Sequence, residues 1–345
     1  MNVQIKSLTA TRVIAALLIV VFHYGKELPP FSNYIHFFQQ ANIAVSYFFV
    51  LSGFVMFYSY RNRKVFFKSF IIKRIARIVP VYYLGLILAV LTLVIDHYYY
   101  NGNSISSFFR GIILNAGFIQ SYFPKYALSI NVPAWSLSVE MLFYLMFPLF
   151  LHFAQRNKKG FVFFVISFFI VSQIVHHLMV KLLLPANTLE HAHSLVYYNP
   201  VFHLNQFLLG MLGVYVYDKF KTENVRVSPL MAFLSIVMLL YFPRSVSIHN
   251  GLLAPLFLLL IVVVAIKEPW FLRSRVMVFL GEISYSIYIL QVPIYYYTSK
   301  WNEEYLNLDK VSFFYLYIVV LLLVSAISYK YVEKPLRKKI SSYAK

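Results

Sequence analysis

Long apolar stretches run through most of this 345-residue sequence and decide what it can fold into. A bilayer core about 30 Å thick is crossed by a helix of roughly 20 mainly apolar residues. Ten stretches meet that requirement, and they lie at 7–26, 43–60, 79–97, 137–155, 160–180, 198–217, 228–243, 250–267, 276–297 and 311–331. The sequence therefore predicts an all-α integral membrane protein, a bundle of about ten transmembrane helices that forms a single domain over 1–345.

The composition excludes several other classes of protein. Hydrophobic residues make up 60% of the chain and charged residues 12%, and the mean hydropathy is +0.69, which excludes a soluble globular protein. Disordered chains are poor in aromatic residues, whereas this chain has 34 Phe and 29 Tyr. It has no Cys, which excludes disulfides, thiolate metal sites and a catalytic Cys.

The basic residues predict how the bundle is oriented. The chain has 31 Lys and Arg against 12 Asp and Glu, a formal charge of +19. In a membrane protein such a charge reflects basic cytoplasmic loops, so no nucleic-acid partner is expected. With ten spans the basic segments fall on one side of the membrane, and these segments are 61–77, 156–159, 218–227, 267–275 and the tail from Lys334. Both termini are therefore predicted to be cytoplasmic.

An eleventh apolar piece, at 105–121, is short and contains Arg110, Asn115 and Gln120. Counting it as a span would place 61–77 and the later basic loops on opposite sides of the membrane. We therefore predict a re-entrant or interfacial segment there. The first apolar stretch lacks the small-residue cleavage site of a signal peptide, so we expect it to remain as a span.

Two ionisable residues on the first span are candidates for a functional site, because charge at membrane depth is costly unless it is paired or hydrated. Arg12 and His23 are 11 residues apart, which places them within about 20° around a helix and about 16 Å apart along it. They should therefore share one face, with Arg12 near the cytoplasm and His23 in the outer half. The alternative is an arginine that reaches the headgroups and a histidine bonded to a backbone carbonyl.

Glu140 lies near the external end of the fourth span, at roughly the predicted depth of His23. A carboxylate bonded to an imidazole fixes its tautomer and raises its basicity, as a general base acting on a hydroxyl requires. The alternative is a boundary glutamate that is solvated by headgroups.

Arg74 and Arg77 open the third span from the cytoplasm, spaced so that both project from one helical face. Two adjacent guanidinium groups suit the phosphates of an anionic cofactor, although basic residues also flank ordinary spans. The spacing of the pairs His176–His177 and His191–His193 suits a metal site poorly, so no metal site is expected.

Several motifs together resemble the family-3 membrane acyltransferases. They are Arg12-x10-His23, Phe48-Phe49-Val50-Leu51-Ser52-Gly53-Phe54, Arg74-x-x-Arg77-x-x-Pro80-x-Tyr82, Trp135-Ser136-Leu137-Ser138-Val139-Glu140, Gly281-Glu282-Ile283-Ser284-Tyr285-Ser286 and Val332-Glu333-Lys334-Pro335. The resemblance runs from about residue 7 to 337. One departure is Gln291, which precedes Val292-Pro293 in a motif where many members carry a histidine before the proline.

The resemblance implies an enzyme of a bacterial plasma membrane that moves an acyl group, commonly acetyl from cytoplasmic acetyl-CoA, onto a hydroxyl of a cell-surface or secreted glycan. It implies that His23 is the catalytic histidine and Glu140 a site carboxylate. The donor would be held by Arg12, Arg74, Arg77 and Tyr82, and the acceptor by Trp135 and Ser138. The expected partners are acyl-CoA, a glycan or lipid-linked sugar, and membrane lipids, with no permanently bound cofactor.

Two other functions remain open on the residues alone. One is a transporter or exporter of a lipid-linked glycan or small solute, although inverted repeats and interrupted helices are not evident in the sequence. The other is a membrane scaffold without enzymatic activity, which would leave His23 without a purpose.

Overall fold

A computed structural model describes residues 5–95, 105–184, 191–223, 226–241 and 248–344, and this part of the chain is helical, without strands. The α-helices are α1 Lys6–Val20, α2 Ile35–Phe38, α3 Ala44–Tyr60, α4 Phe67–Ile95, α5 Ile105–Ala116, α6 Trp135–Arg156, α7 Lys158–Leu183, α8 Ala192–Tyr198, α9 Leu204–Phe220, α10 Pro229–Tyr241, α11 Ala254–Lys267, α12 Arg275–Trp301, α13 Lys310–Ser328 and α14 Lys334–Ser341. The predicted all-α membrane class is confirmed.

Seven helical segments of the described residues are long and apolar enough to cross a membrane. They are Lys6–Gly25, Ala41–Tyr60, Phe67–Val94, Val132–Arg156, Lys158–Leu183, Arg275–Leu306 and Lys310–Ala344. The predicted spans at 198–217, 228–243 and 250–267 correspond to the shorter helices α9, α10 and α11. The count of ten and the orientation of the termini stay predictions.

Helix α4 begins at Phe67, well before the predicted start at 79. The apolar-run criterion placed the basic residues ahead of the span, but a helix continues through arginines wherever their charged ends reach a polar environment. Arg74 and Arg77 therefore lie on a continuous helix that carries them into the bundle.

The segment predicted to be re-entrant or interfacial forms α5, a helix of 12 residues, too short to cross a bilayer. Its C-terminal end is fastened to α4 by two tyrosines. The hydroxyl of Tyr82 donates to the carbonyl of Asn115 (2.7 Å), and that of Tyr83 donates to the carbonyl of Ala116 (2.8 Å).

Close helix crossings set the positions of the site-bearing helices. At the α3–α9 crossing, a Cβ added to Gly53 would lie 1.9 Å from the carbonyl oxygen of Phe207. At the α1–α12 crossing, a Cβ added to Gly281 would lie 2.0 Å from the carbonyl oxygen of Thr9. Small residues let membrane helices approach this closely, and the contacts fix α1 and α12 side by side.

Candidate functional site

Three cavities lie in series between the helices, and we name them by the predicted sidedness. The inner cavity has a volume of about 240 Å³, the middle cavity about 80 Å³ and the outer cavity about 260 Å³. The inner and middle cavities share Arg12, Arg77 and Tyr285 among their walls. The middle and outer cavities share Val45 and Tyr288. The shared walls make one row along the bundle.

The inner cavity contains more positive than negative charge. Arg12, Arg74, Arg77 and Arg337 line it together with two carboxylates, Glu282 and Glu333. Among the described residues the recorded ion pairs are Arg61–Asp218, Lys221–Asp218 and Lys300–Glu303, and none involves these four arginines. The cavity is therefore suited to an anionic ligand.

Arg74 is held in place by aromatic groups, yet part of its guanidinium has no partner. Its guanidinium carbon lies 5.5 Å from the ring centre of Phe70 and 5.7 Å from that of Tyr60, and one terminal nitrogen donates to the Tyr60 hydroxyl (3.3 Å). Its Nε is buried without a hydrogen-bond partner. A buried donor without an acceptor is costly, so this atom indicates a site that a ligand oxygen would complete.

Glu140 lines the middle cavity, one and a half turns into α6. Its Oε2 accepts a hydrogen bond from the Tyr144 hydroxyl (2.6 Å), and its charge acts on Arg12, which lines the same cavity. The predicted pairing of Glu140 with His23 is not found among the described residues. Glu140 lines the middle cavity and His23 the outer one, and an estimate of depth along a span does not say which face of α6 carries the carboxylate.

His23 lines the outer cavity from a π-helical turn, Val21–Gly25, that continues α1. Its ring centre lies 4.9 Å from that of Phe22 and 5.8 Å from that of Tyr24. Turns of this kind inside helices occur frequently at functional sites. Because Arg12 lines the inner and middle cavities, both residues face the same row of cavities, as their spacing on α1 predicts.

Trp135 also lines the outer cavity, where its ring centre lies 5.1 Å from those of Tyr198 and His203. His193 joins this wall from α8, with its ring centre 4.5 Å from that of Tyr197. Partial burial lowers the pKa of His193, which favours the neutral imidazole. The outer cavity thus combines aromatic faces with neutral hydrogen-bonding groups, a lining that suits a polar, uncharged ligand.

Two predicted ligand-binding residues do not line these cavities. Tyr82 is 1% exposed, and its ring stacks on Phe118 while its hydroxyl bonds to α5. Ser138 is fully buried and its Oγ has no hydrogen-bond partner. Ser136, two residues earlier, lines the middle cavity instead. The shared motif suggested these residues, but their side chains point into helix packing.

Tyr288 and Arg337 line the cavities but were not singled out from the sequence, and Glu333 was named only as part of a motif. Arg337 was not distinguished because a lysine-rich tail after a span is typical of ordinary cytoplasmic flanks. His193 was considered only as a metal ligand. Within the residues that the structure describes, no group of three His, Cys, Asp or Glu is placed to hold a metal ion.

Fold and site therefore define the class of the protein. It is a multi-pass helical bundle with a charged cavity at one end of a row of cavities and a histidine in the cavity at the other end. Residues 5–330 match the family described as "Acyltransferase domain". The match covers nearly the whole chain, so this protein belongs to that family, and the resemblance carried by the motifs is confirmed.

Individual relatives are distant but align over most of the chain. SACOL0978 of Staphylococcus aureus strain COL, whose name gives it provisionally as an O-acetyltransferase, is 24% identical over 97% of this chain and 58% of its own length. O-acetyltransferase OatA of S. aureus strain NCTC 8325 is 24% identical over 96% of this chain and 57% of its own. The chain thus spans a little over half the length of these relatives. No solved structure gives a significant match.

Proposed function

We propose that this protein is an integral-membrane O-acyltransferase that moves an acetyl group from cytoplasmic acetyl-CoA to a hydroxyl of a cell-surface or secreted glycan, at a bacterial plasma membrane. The observation that carries the proposal is the row of three cavities, with arginines at one end and His23 at the other. The names of the relatives support O-acetyl transfer.

The donor end follows from charge. The four arginines of the inner cavity outnumber its two carboxylates, and the unpartnered Nε of Arg74 offers a buried donor. Guanidinium groups bind phosphate oxygens through paired, charge-assisted hydrogen bonds. With its phosphates there, the thioester arm of acetyl-CoA would extend past Arg12 into the middle cavity.

The acceptor end follows from the chemistry of His23. In direct transfer, the imidazole takes the proton of the attacking hydroxyl, the new ester bond forms at the thioester carbonyl, and the thiolate leaves and is protonated. In the alternative, His23 first takes the acetyl group and then passes it to the hydroxyl. Both routes give the same O-acetyl ester and free CoA. Trp135 would stack on a face of the acceptor sugar, which is free or lipid-linked.

The test is transfer of labelled acetyl from acetyl-CoA in membrane vesicles that contain equal amounts of the wild-type protein, His23→Ala or His177→Ala. His177 is an exposed histidine of α7 that lines none of the three cavities, which makes it the matched control. We expect label in the glycan or glycolipid fraction with the wild type and the His177 variant, and none with His23→Ala.

Vesicle orientation tests the sidedness of the donor. Inside-out vesicles expose the cytoplasmic face and should transfer label from added acetyl-CoA, whereas sealed right-side-out vesicles should not. Equal transfer by wild type and His23→Ala would remove His23 from the chemistry. Absence of transfer in either orientation, while another acyl donor is consumed, would overturn acetyl-CoA as the donor.

A further inference from the structure

The segment after the last long helix returns to the bundle and packs on α4. The π-helical turn Tyr329–Glu333 leads into α14, Lys334–Ser341, which lies along α4. The hydroxyl of Ser69 on α4 donates to the carbonyl of Ala344 (2.7 Å) and fastens the end of this segment. The segment is thereby held next to the helix that carries Arg74 and Arg77.

Arg337 is the residue of α14 that enters the site. It lines the inner cavity, whereas the neighbouring Lys338 and Lys339 do not. Its charge acts on Arg74, Arg77 and Glu333. A third arginine so close to two others is electrostatically unfavourable in the absence of an anion.

Glu333 is a buried carboxylate in the same cavity wall. The residue is 4% exposed, its charge acts on both Arg77 and Arg337, and its Oε2 lies 3.5 Å from the Oγ of Ser286. A buried carboxylate is retained where positive groups surround it. Glu333 therefore interacts electrostatically with an arginine of α4 and with the arginine of α14.

The arginines are ordered along the cavity. Arg12 and Arg77 line both the inner and the middle cavity, while Arg74 and Arg337 line the inner cavity alone. Arg337 is also exposed, which places it at the mouth. CoA has a similar order, with the thioester at one end, a diphosphate in its middle, and a ribose 3′-phosphate monoester at the nucleotide end.

We propose that Arg337 forms a second anion subsite, at the mouth of the inner cavity, that binds the 3′-phosphate monoester of the donor nucleotide. Arg74 and Arg77, adjacent on one face of α4, then hold the diphosphate. This assignment rests on the proposed CoA donor. It makes α14 part of the donor site, through the one basic residue of that helix that lines the cavity.

The test compares binding of CoA and of 3′-dephospho-CoA to the purified protein of residues 1–345 in lipid nanodiscs, by calorimetry. We expect the wild type to bind CoA about tenfold more tightly than dephospho-CoA, the ratio that one partly solvated charge-assisted contact gives. Arg337→Gln should bring the ratio close to one by weakening CoA alone. Lys338→Gln, which removes an equal charge from the same helix, should keep the wild-type ratio.

Arg337→Lys keeps the charge without the forked geometry and should retain part of the preference, which separates ligand contact from loss of folding. A ratio near one in the wild type, an unchanged ratio in Arg337→Gln, or equal weakening of both ligands would overturn the subsite. Binding requires no acceptor. If the wild type prefers CoA over dephospho-CoA but transfers no acetyl group, the proposed function is wrong and the subsite is still supported. If the wild type binds neither ligand, both the proposed function and the subsite are contradicted.

Discussion

The hydroxyl groups of Tyr288 and Ser136 lie 3.0 Å apart where the middle and outer cavities adjoin. The Tyr288 hydroxyl also lies 3.0 Å from the carbonyl oxygen of Pro133, and the residue is 7% exposed. These contacts hold the ring of α12 against the start of α6, as a wall of both cavities. In the proposed reaction, an acetyl group that travels from the arginines to His23 has to pass this ring.

Replacing Tyr288 with Ala should join the two cavities and admit water from the outer side. We expect acetyl-CoA hydrolysis without acceptor to rise by roughly tenfold, on the order of 1.4 kcal/mol. The assay is release of free thiol, which a thiol reagent detects without background from the protein because the chain has no Cys. Tyr288→Phe keeps the ring and should keep hydrolysis low. Equal hydrolysis by the Ala and Phe variants would show that the ring is not the barrier.

Glu140→Gln tests where that carboxylate acts. The structure pairs Glu140 with Tyr144 and places it in one cavity with Arg12, so the substitution should lower kcat/KM by about tenfold, roughly 1.4 kcal/mol, without altering the ionisation of His23. The measurement is the pH dependence of kcat/KM for the wild type and the variant. A shift of the acidic limb of the pH profile in the variant would instead support the role that the sequence predicts for Glu140, which is to orient His23.

The α3–α9 crossing allows a test of the fold with a matched pair of glycines. Gly53→Ala would place a Cβ 1.9 Å from the carbonyl oxygen of Phe207, so the helices must separate, at a cost of about 1–3 kcal/mol. Gly117→Ala meets its nearest atom at 3.5 Å and should change stability by less than about 0.5 kcal/mol. Thermal unfolding in detergent, followed by size-exclusion chromatography, compares the two. Similar melting temperatures would show that α3 and α9 can separate at this crossing at little cost in stability.

Much of the helical framework could be predicted from the sequence because apolar length is a direct requirement of the bilayer. The stretch at 137–155, for example, is helix Trp135–Arg156, and the stretch at 160–180 is helix Lys158–Leu183. The start of α4 was wrong because arginines inside a helix interrupt an apolar run without interrupting the helix. A sequence pattern does not show which polar groups surround a charged side chain in the folded protein.

The candidate site could also be predicted only in part. Spacing along one helix correctly brought Arg12 and His23 to the same row of cavities, and it brought Arg74 and Arg77 to one wall. Relations between different helices depend on their rotation and crossing, which no local pattern encodes. Glu140 therefore faces Arg12 instead of His23, and Arg337 joins the inner cavity from a helix that looks like an ordinary basic tail.

The lowered pKa of His193 predicts a dependence of stability on pH. The side chain is only partly shielded from water, and this partial burial lowers its pKa below the usual 6.5 of the unfolded chain, so the expected effect is small. As the pH falls through about 6.5, the unfolded state binds the proton first, and the folded state loses stability relative to it. The wild type should therefore lose more thermal stability between pH 8 and pH 5 than His193→Gln, which has no proton to bind. His177→Gln, on α7 and outside the three cavities, should follow the wild type, and a His193 variant that loses as much stability as the wild type would contradict the prediction.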